Sequence, residues 1–263
     1  MPLLIFILEN GKLQEMNRLG LMTQVVENVW RDILNPGIYP YRELRPSHRN
    51  YWISVFVNLF FKGYLGAEYI DAHNIPERGA AIIAANHFSH LDGLLINAVS
   101  IYERRRPVVF LAAADVYNSN RAFRIMCDLV NCIPVKRDEN DRAALLKTIR
   151  VLRQGSLFGI FPEGQRSRDG TIGEAKEGVA VIALATGCPV VPVGISGTFE
   201  ALRRKTKIIR PAKVRLKFGA PIEFEKEKHP SSERVFYVRD RIMNEIKRLH
   251  IEALGRENQK LAA

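Results

Sequence analysis

The chain has 263 residues, of which 47% are hydrophobic, and it carries a formal net charge of +11. This length and composition indicate a globular protein with one large domain, or one domain with a smaller helical extension. The positive charge and the pI near 9.7 predict an anionic partner, but they do not choose among anionic lipid, a phosphorylated substrate and nucleic acid.

The cysteine count argues against a fold held by disulfides or by a bound zinc ion. Cys127, Cys132 and Cys188 form neither an even set nor a CxxC pair, so the sequence supports neither a disulfide framework nor a zinc knuckle. A reduced, cytosolic setting fits best. The N-terminal run MPLLIFILENGK has no preceding basic region and no small-residue cleavage site, which argues against a signal peptide.

Residues 1–64 are predicted to form a helical segment that docks on a membrane. The apolar run YWISVFVNLFF, residues 51–61, is too short to span a bilayer. Its aromatic residues, flanked by Arg49 and Lys62, suit a helix lying in the membrane interface. A buried core helix explains the same pattern equally well. The first interpretation places the protein on the cytoplasmic face of a membrane, as a peripheral or monotopic protein.

Residues 65–263 are predicted to form an α/β domain that ends in a long helix. Short β-rich runs such as AAIIAAN, PVVFLAA and SLFGIF alternate with helix-length segments. This alternation predicts a largely parallel mixed sheet flanked by helices, with functional residues at the carboxyl ends of its strands. The segment 231–255 has the pattern of an amphipathic helix.

The stretch ANHFSHLDG, residues 85–93, places His87 after a predicted strand and Asp92 at the start of the next helix. Across such a turn a carboxylate can bind one imidazole nitrogen and leave the other to take a proton. Alternatively, Ser89 and Asp92 match a helix-capping pattern and serve only the first turn of the helix. A metal site built from His87, His90 and Asp92 is weaker, because no further ligand set lies at a plausible spacing.

A second stretch, GIFPEGQRSRDG at residues 159–170, also follows a predicted strand. Its proline and glycine favour a tight turn, Glu163 adds a carboxylate, and the arginines and serine suit a phosphate. A solvated charged loop is the alternative. In CIPVKRD, residues 132–138, Arg137 lies at another strand end, where a plain surface charge explains it equally well. Pro192 indicates an edge strand or an irregular segment beside a site.

Taken in order, the blocks HFSHLD, CIPVKR, FPEGQRS and VPV resemble those of the glycerolipid acyltransferase family typified by bacterial lysophosphatidate acyltransferases. The resemblance covers roughly residues 65–225. It implies that His87 is the general base and Asp92 its orienting partner. It also implies that the acceptor binds to Arg137, Glu163, Gly164, Arg166 and Ser167.

The resemblance implies acyl transfer from an acyl-CoA or acyl-ACP thioester, as co-substrate, to the hydroxyl of a lysophospholipid, first of all lysophosphatidate, in phospholipid synthesis or remodelling. No cofactor, metal or nucleic acid is expected, and the implied partners are the membrane surface, the acceptor and the acyl donor. The chain lacks the lysine that many of these enzymes carry near Ala113 or Ala114, which leaves another lysolipid open. A phospholipid-dependent transacylase and a non-catalytic basic lipid-binding module are the alternatives.

Overall fold

The computed structural model describes residues 5–9, 12–16, 48–119, 121–135, 141–203, 206 and 208–255. A seven-stranded sheet lies at its centre, and a separate antiparallel pair lies near the N-terminus. The strands are β1 (Ile5–Glu9), β2 (Lys12–Met16), β3 (Glu68–Ile70), β4 (Ala81–Ala85), β5 (Val108–Ala113), β6 (Cys132–Val135), β7 (Leu157–Ile160), β8 (Val190–Ser196) and β9 (Arg215–Phe218).

Helices connect these strands and cover both faces of the sheet. A short 3-10 turn spans Ala72–Asn74. The helices are α1 (His48–Leu65), α2 (Leu91–Arg104), α3 (Ala114–Tyr117), α4 (Arg121–Leu129), α5 (Asp141–Arg153), α6 (Gly178–Thr186), α7 (Thr198–Ala201) and α8 (Ser232–Leu254). The predicted C-terminal helix is confirmed as α8, whose first turn is capped by the Ser231 hydroxyl accepting from the Arg234 amide.

The large sheet has the strand order β3-β9-β8-β4-β7-β5-β6. All pairs from β8 through β6 are parallel, whereas β9 runs antiparallel to β8 and parallel to β3. The prediction of an α/β fold with a largely parallel mixed sheet is therefore confirmed. Because β4 and β7 are neighbours in the middle of the sheet, the segments that follow them meet at its carboxyl edge.

Two apolar clusters hold the sheet between its helices. One cluster joins the sheet to α5, α6 and α8, and the other joins it to α1 and α2. All five residues of β4 are buried, as expected for a central parallel strand covered on both faces. Pro192 lies inside β8 rather than at an edge. On the two sides of it, β8 pairs with β9 from Val193 onwards and, through an isolated bridge at Val190, with Ile222 beyond β9, one residue out of register. This interruption suits a residue without an N–H donor.

The N-terminal segment is only partly helical. Residues 5–16 differ from the helical prediction, because β1 and β2 form a hairpin in which Glu9 pairs with Lys12. The intervening Asn10-Gly11 is the dipeptide most typical of a two-residue hairpin turn. The helical prediction does hold for α1, which continues to Leu65, one residue past the predicted domain boundary. Residues 17–47 lie outside the described part of the chain.

Candidate active site

The turn between β4 and α2 brings His87 and Asp92 together. The Nδ1 atom of His87 lies 2.9 Å from Oδ2 of Asp92. The Asp92 side chain is fully buried, whereas 19% of the His87 side chain is exposed. With Nδ1 engaged by the carboxylate, Nε2 is the ring nitrogen that remains to take a proton. The structure therefore brings the predicted pair into hydrogen-bond contact.

The same carboxylate also organises the start of α2. Oδ2 of Asp92 accepts the backbone amides of Phe88 and Ser89, each at 2.7 Å. The Ser89 hydroxyl accepts the amide of Leu91 at 3.3 Å. The dyad and the cap, considered above as alternatives, thus share one oxygen atom. Within the described residues, no group of three or more potential ligands could hold a metal ion.

Glu163 lies just beyond β7 and faces inward. Its Oε1 accepts the backbone amide of His87 at 2.8 Å, and its Oε2 accepts the amide of Gly173 at 3.0 Å. Burial raises the pKa of this carboxyl, while the two backbone hydrogen bonds act to lower it. Both oxygens bind the protein's own backbone, and the predicted role of Glu163 in acceptor binding stays a prediction.

Ser167 and Gly164 shape the loop that follows. The Ser167 amide donates to the His87 carbonyl at 2.8 Å, and its hydroxyl accepts the Gly170 amide at 2.9 Å. Gly164 adopts a φ of +70°, and a Cβ there would lie 3.0 Å from the Lys176 side chain. Both residues therefore support the turn beside His87. Lys176 was missed by the sequence reasoning, because nothing in GEAKEG distinguishes it from a surface charge.

Of the two predicted arginines, the structure describes Arg166 only. Arg166 lies on the loop after β7 and is half-buried, and the neighbouring Arg168 is exposed. Arg137 lies outside the described residues, so its predicted convergence with Arg166 stays a prediction.

Two further residues of the site were missed by the sequence reasoning. The Phe161 ring stacks on the His87 imidazole, with ring centroids 3.9 Å apart and an interplanar angle of 11°. The fully buried Asn86 exchanges two hydrogen bonds with the Ile195 backbone and so fixes the end of β4 against β8. Both contacts join neighbouring strands, so recognising them requires the strand order.

Comparison with known proteins shows the family of this chain. The protein-family model named Acyltransferase matches residues 67–196. A protein of Mycoplasma pneumoniae named as a probable 1-acyl-sn-glycerol-3-phosphate acyltransferase is 31% identical over 197 residues, which cover 71% of each chain. The 1-acyl-sn-glycerol-3-phosphate acyltransferase of Borreliella burgdorferi is 34% identical over 129 residues, covering 48% of this chain and 50% of that one.

A solved structure shares the fold. The crystal structure of the 1-acyl-sn-glycerophosphate (LPA) acyltransferase PlsC from Thermotoga maritima superimposes with a TM-score of 0.56 at 24% sequence identity. The match covers 88% of this chain and 96% of that chain. The likeness extends to the mostly parallel sheet whose carboxyl edge carries His87.

Proposed function

The chain belongs to the acyltransferase family and is a glycerolipid O-acyltransferase, and we propose that it transfers a fatty acyl group from an acyl-CoA or acyl-ACP thioester to the free hydroxyl of lysophosphatidate. The observation that carries this proposal is the hydrogen bond between His87 and the buried Asp92 at the carboxyl edge of the sheet. The names of the relatives support the choice of lysophosphatidate.

The proposed mechanism needs one base and no covalent enzyme intermediate. Nε2 of His87 takes the proton of the acceptor hydroxyl as that oxygen attacks the thioester carbonyl. Asp92 stabilises the imidazolium that forms and keeps Nδ1 protonated. Collapse of the tetrahedral intermediate expels the thiolate, which recovers the proton from His87. Holding the acceptor against the thioester supplies a further part of the rate.

The acceptor phosphate is proposed to bind on the loop after β7. Arg166 extends from this loop, and a guanidinium can bind two phosphate oxygens at once. Lys176 adds an exposed cation, since its side chain lies against Gly164 on the same loop. This lysine offers a positive charge that the sequence lacks near Ala113 and Ala114, which supports lysophosphatidate as the acceptor.

We further propose that α1 docks on the cytoplasmic face of an anionic membrane without crossing it. Among the described helices, none combines the length and hydrophobicity that crossing a bilayer requires. The exposed face of α1 is nevertheless strongly apolar. The buried residues of the helix are Ser54, Asn58, Phe61 and Leu65, whereas its exposed face carries large apolar side chains. These are Trp52, Phe56, Leu59 and Phe60, of which Phe56 is 69% exposed. A row of this kind suits lipid better than water.

A cation and an adjoining loop complete this docking surface. Lys62 lies in the last turn of α1, and its Nζ atom is 5.3 Å from the centre of the Tyr69 ring on β3. The Tyr64 hydroxyl donates to the Ile209 carbonyl at 3.0 Å, which ties α1 to a basic segment whose Ile208 is 72% exposed. That segment starts at Leu202, whose carbonyl accepts the Ser89 hydroxyl. The docking surface therefore adjoins the turn that carries His87.

A thiol-release assay with a panel of lysolipids and several acyl thioesters tests the proposed reaction. We expect thiol release that depends on lysophosphatidate and disappears in folded His87→Ala protein. A transacylase would form the same product from a phospholipid donor without any thioester. A lipid-binding module would bind lysolipid and release no thiol. Either result would overturn the proposal.

A further inference from the structure

We propose that Phe161 is a positioning residue that fixes the ring plane of the catalytic base. This inference rests on the proposed role of His87. Phe161 is the first residue beyond β7, and its ring lies face to face with the His87 imidazole, with centroids 3.9 Å apart and planes 11° apart. Such a close and parallel stack constrains rotation of the imidazole about its side-chain bonds.

The stack supplies a restraint that the Asp92 hydrogen bond does not. A single hydrogen bond to Nδ1 fixes one atom of the ring and leaves the ring free to turn about it. The direction of Nε2, which receives the proton, is set only when the ring plane is also fixed. The Asp92 carboxylate fixes the position of Nδ1, and the Phe161 face fixes the ring plane. Small errors in that direction weaken proton transfer.

Phe161 is itself supported from behind. The Phe110 ring, buried on β5, lies parallel to it with centroids 5.7 Å apart and planes 16° apart. Phe110 reaches this position because Gly159 has no side chain. A Cβ at Gly159 would lie 2.1 Å from the Phe110 ring. A column of three rings therefore runs from β5 through the end of β7 to His87.

The segment FPEGQRS, residues 161–167, also holds the backbone of His87. Its amide donates to Glu163 at 2.8 Å, and its carbonyl accepts the Ser167 amide at 2.8 Å. Three residues of FPEGQRS thus restrain the base through its ring, its amide and its carbonyl. Of these three residues, Phe161 is the one that stacks on the ring, so its replacement is the one expected to release the ring plane.

Phe161→Leu tests the inference, because leucine keeps an apolar side chain and removes the flat face. We expect kcat to fall about tenfold or more, with both Michaelis constants changed less than about threefold. Phe161→Tyr should restore kcat.

Phe158→Leu is the matched control, since Phe158 is a buried residue of the same strand that packs in the cluster on α5, α6 and α8. It should lower the melting temperature and leave kcat and both Michaelis constants unchanged. Phe161→Leu with a wild-type kcat would overturn the inference. A rise in one Michaelis constant alone would also overturn it, because Phe161 would then contact a substrate.

A measurement without turnover separates this inference from the proposed function. The face of Phe161 should shift the NMR signals of the His87 imidazole C–H protons upfield, and Phe161→Leu should remove that shift. If wild-type protein shows the shift but releases no thiol with any acceptor, the proposed function fails and the stack stands. If the shift is absent from active wild-type protein, the inference fails alone.

Discussion

Oδ2 of Asp92 lies 2.9 Å from Nδ1 of His87, and the two residues stand on opposite sides of a strand-to-helix turn. Because the same oxygen accepts the amides of Phe88 and Ser89, the carboxylate is fixed before any substrate arrives. Three N–H groups therefore converge on one buried atom. This arrangement both starts α2 and sets the tautomer of His87.

The first prediction follows from this shared oxygen. Asp92→Asn keeps an oxygen for the backbone amides but favours the wrong tautomer of His87, so kcat should fall by about 10²- to 10⁴-fold while the protein stays folded. Kinetics and thermal melting check this. Ser89→Ala is the control, because it removes the hydroxyl that binds the Leu91 amide and the Leu202 carbonyl and leaves Asp92 in place. It should cost about 0.5–2 kcal/mol of stability with kcat largely kept. Folded Asp92→Asn protein with wild-type kcat would contradict the dyad.

Much of this site could be predicted because its residues are local in sequence. His87 and Asp92 are separated by one turn, so the end of a β-rich run and the start of a helical run place them together. The alternation of strands and helices likewise predicted the parallel sheet. The hairpin of β1 and β2 differs from the helical prediction, although the Asn-Gly dipeptide between the two strands is a typical hairpin signal.

The contacts of Phe161 and Glu163 could not be predicted in the same way. Both residues act on His87 across the pair β4 and β7, which lie far apart in the chain. A single sequence shows that two strands end in polar loops, but it does not show which strands are neighbours. The same limit explains why the hydrogen bond from the His87 amide to Glu163 could not be predicted.

The second prediction concerns Glu163, whose two oxygens each accept a backbone amide. Glu163→Gln leaves one of these buried amides facing an NH₂ group, so the free energy of unfolding should fall by about 1–3 kcal/mol. We expect kcat to decrease with it and the acceptor Michaelis constant to stay unchanged. Urea unfolding and steady-state kinetics measure both. A raised Michaelis constant for the acceptor with unchanged stability would instead support the predicted role of Glu163 in acceptor binding.

The third prediction tests the exposed face of α1. Phe56→Ser should weaken co-sedimentation with anionic vesicles, because it removes apolar surface from the lipid contact. High salt should weaken binding of the wild-type protein further by screening its cations. Ile251→Ser is the control, since Ile251 is 53% exposed on α8, away from α1. Equal binding to neutral and anionic vesicles would remove the electrostatic part of the proposal.

The fourth prediction is a pH dependence of stability. Burial lowers the pKa of His250, although its hydrogen bond to the Ile195 carbonyl acts in the opposite direction. The folded protein therefore binds this proton less readily than the unfolded chain does. The stability contributed by neutral His250 is present above the ordinary histidine pKa of about 6.5 and is lost as pH falls through the lower, folded value.

His250→Gln should flatten this dependence, because glutamine can still donate to Ile195 and does not titrate. Chemical unfolding at several pH values between about 7.5 and 5 measures the slope. His73→Gln, in the 3-10 turn, is the control and should follow the wild-type slope. If the free energy of unfolding of the His250→Gln protein falls with pH as steeply as that of the wild type, other groups cause the loss of stability.

The last prediction concerns the acceptor phosphate. If Arg166 binds it, Arg166→Lys should raise the Michaelis constant of the acceptor while that of the thioester hardly changes, because lysine keeps the charge and loses the two-point geometry. Arg166→Ala should cost more, on the order of 2 to 5 kcal/mol where the phosphate is desolvated. Arg168→Ala is the matched control, since Arg168 is exposed two residues further along the same loop.

The competing interpretation makes Arg166 a residue that only shapes the loop. It predicts an unchanged acceptor constant and a lower melting temperature for Arg166→Ala. Arg137→Ala and Arg137→Lys, tested in parallel, report whether a second guanidinium shares the same phosphate. If both arginines bind it, each alanine variant raises the acceptor constant, and the double variant costs less than the sum because one phosphate links the two sites. An unchanged acceptor constant in either alanine variant rules out the shared phosphate site.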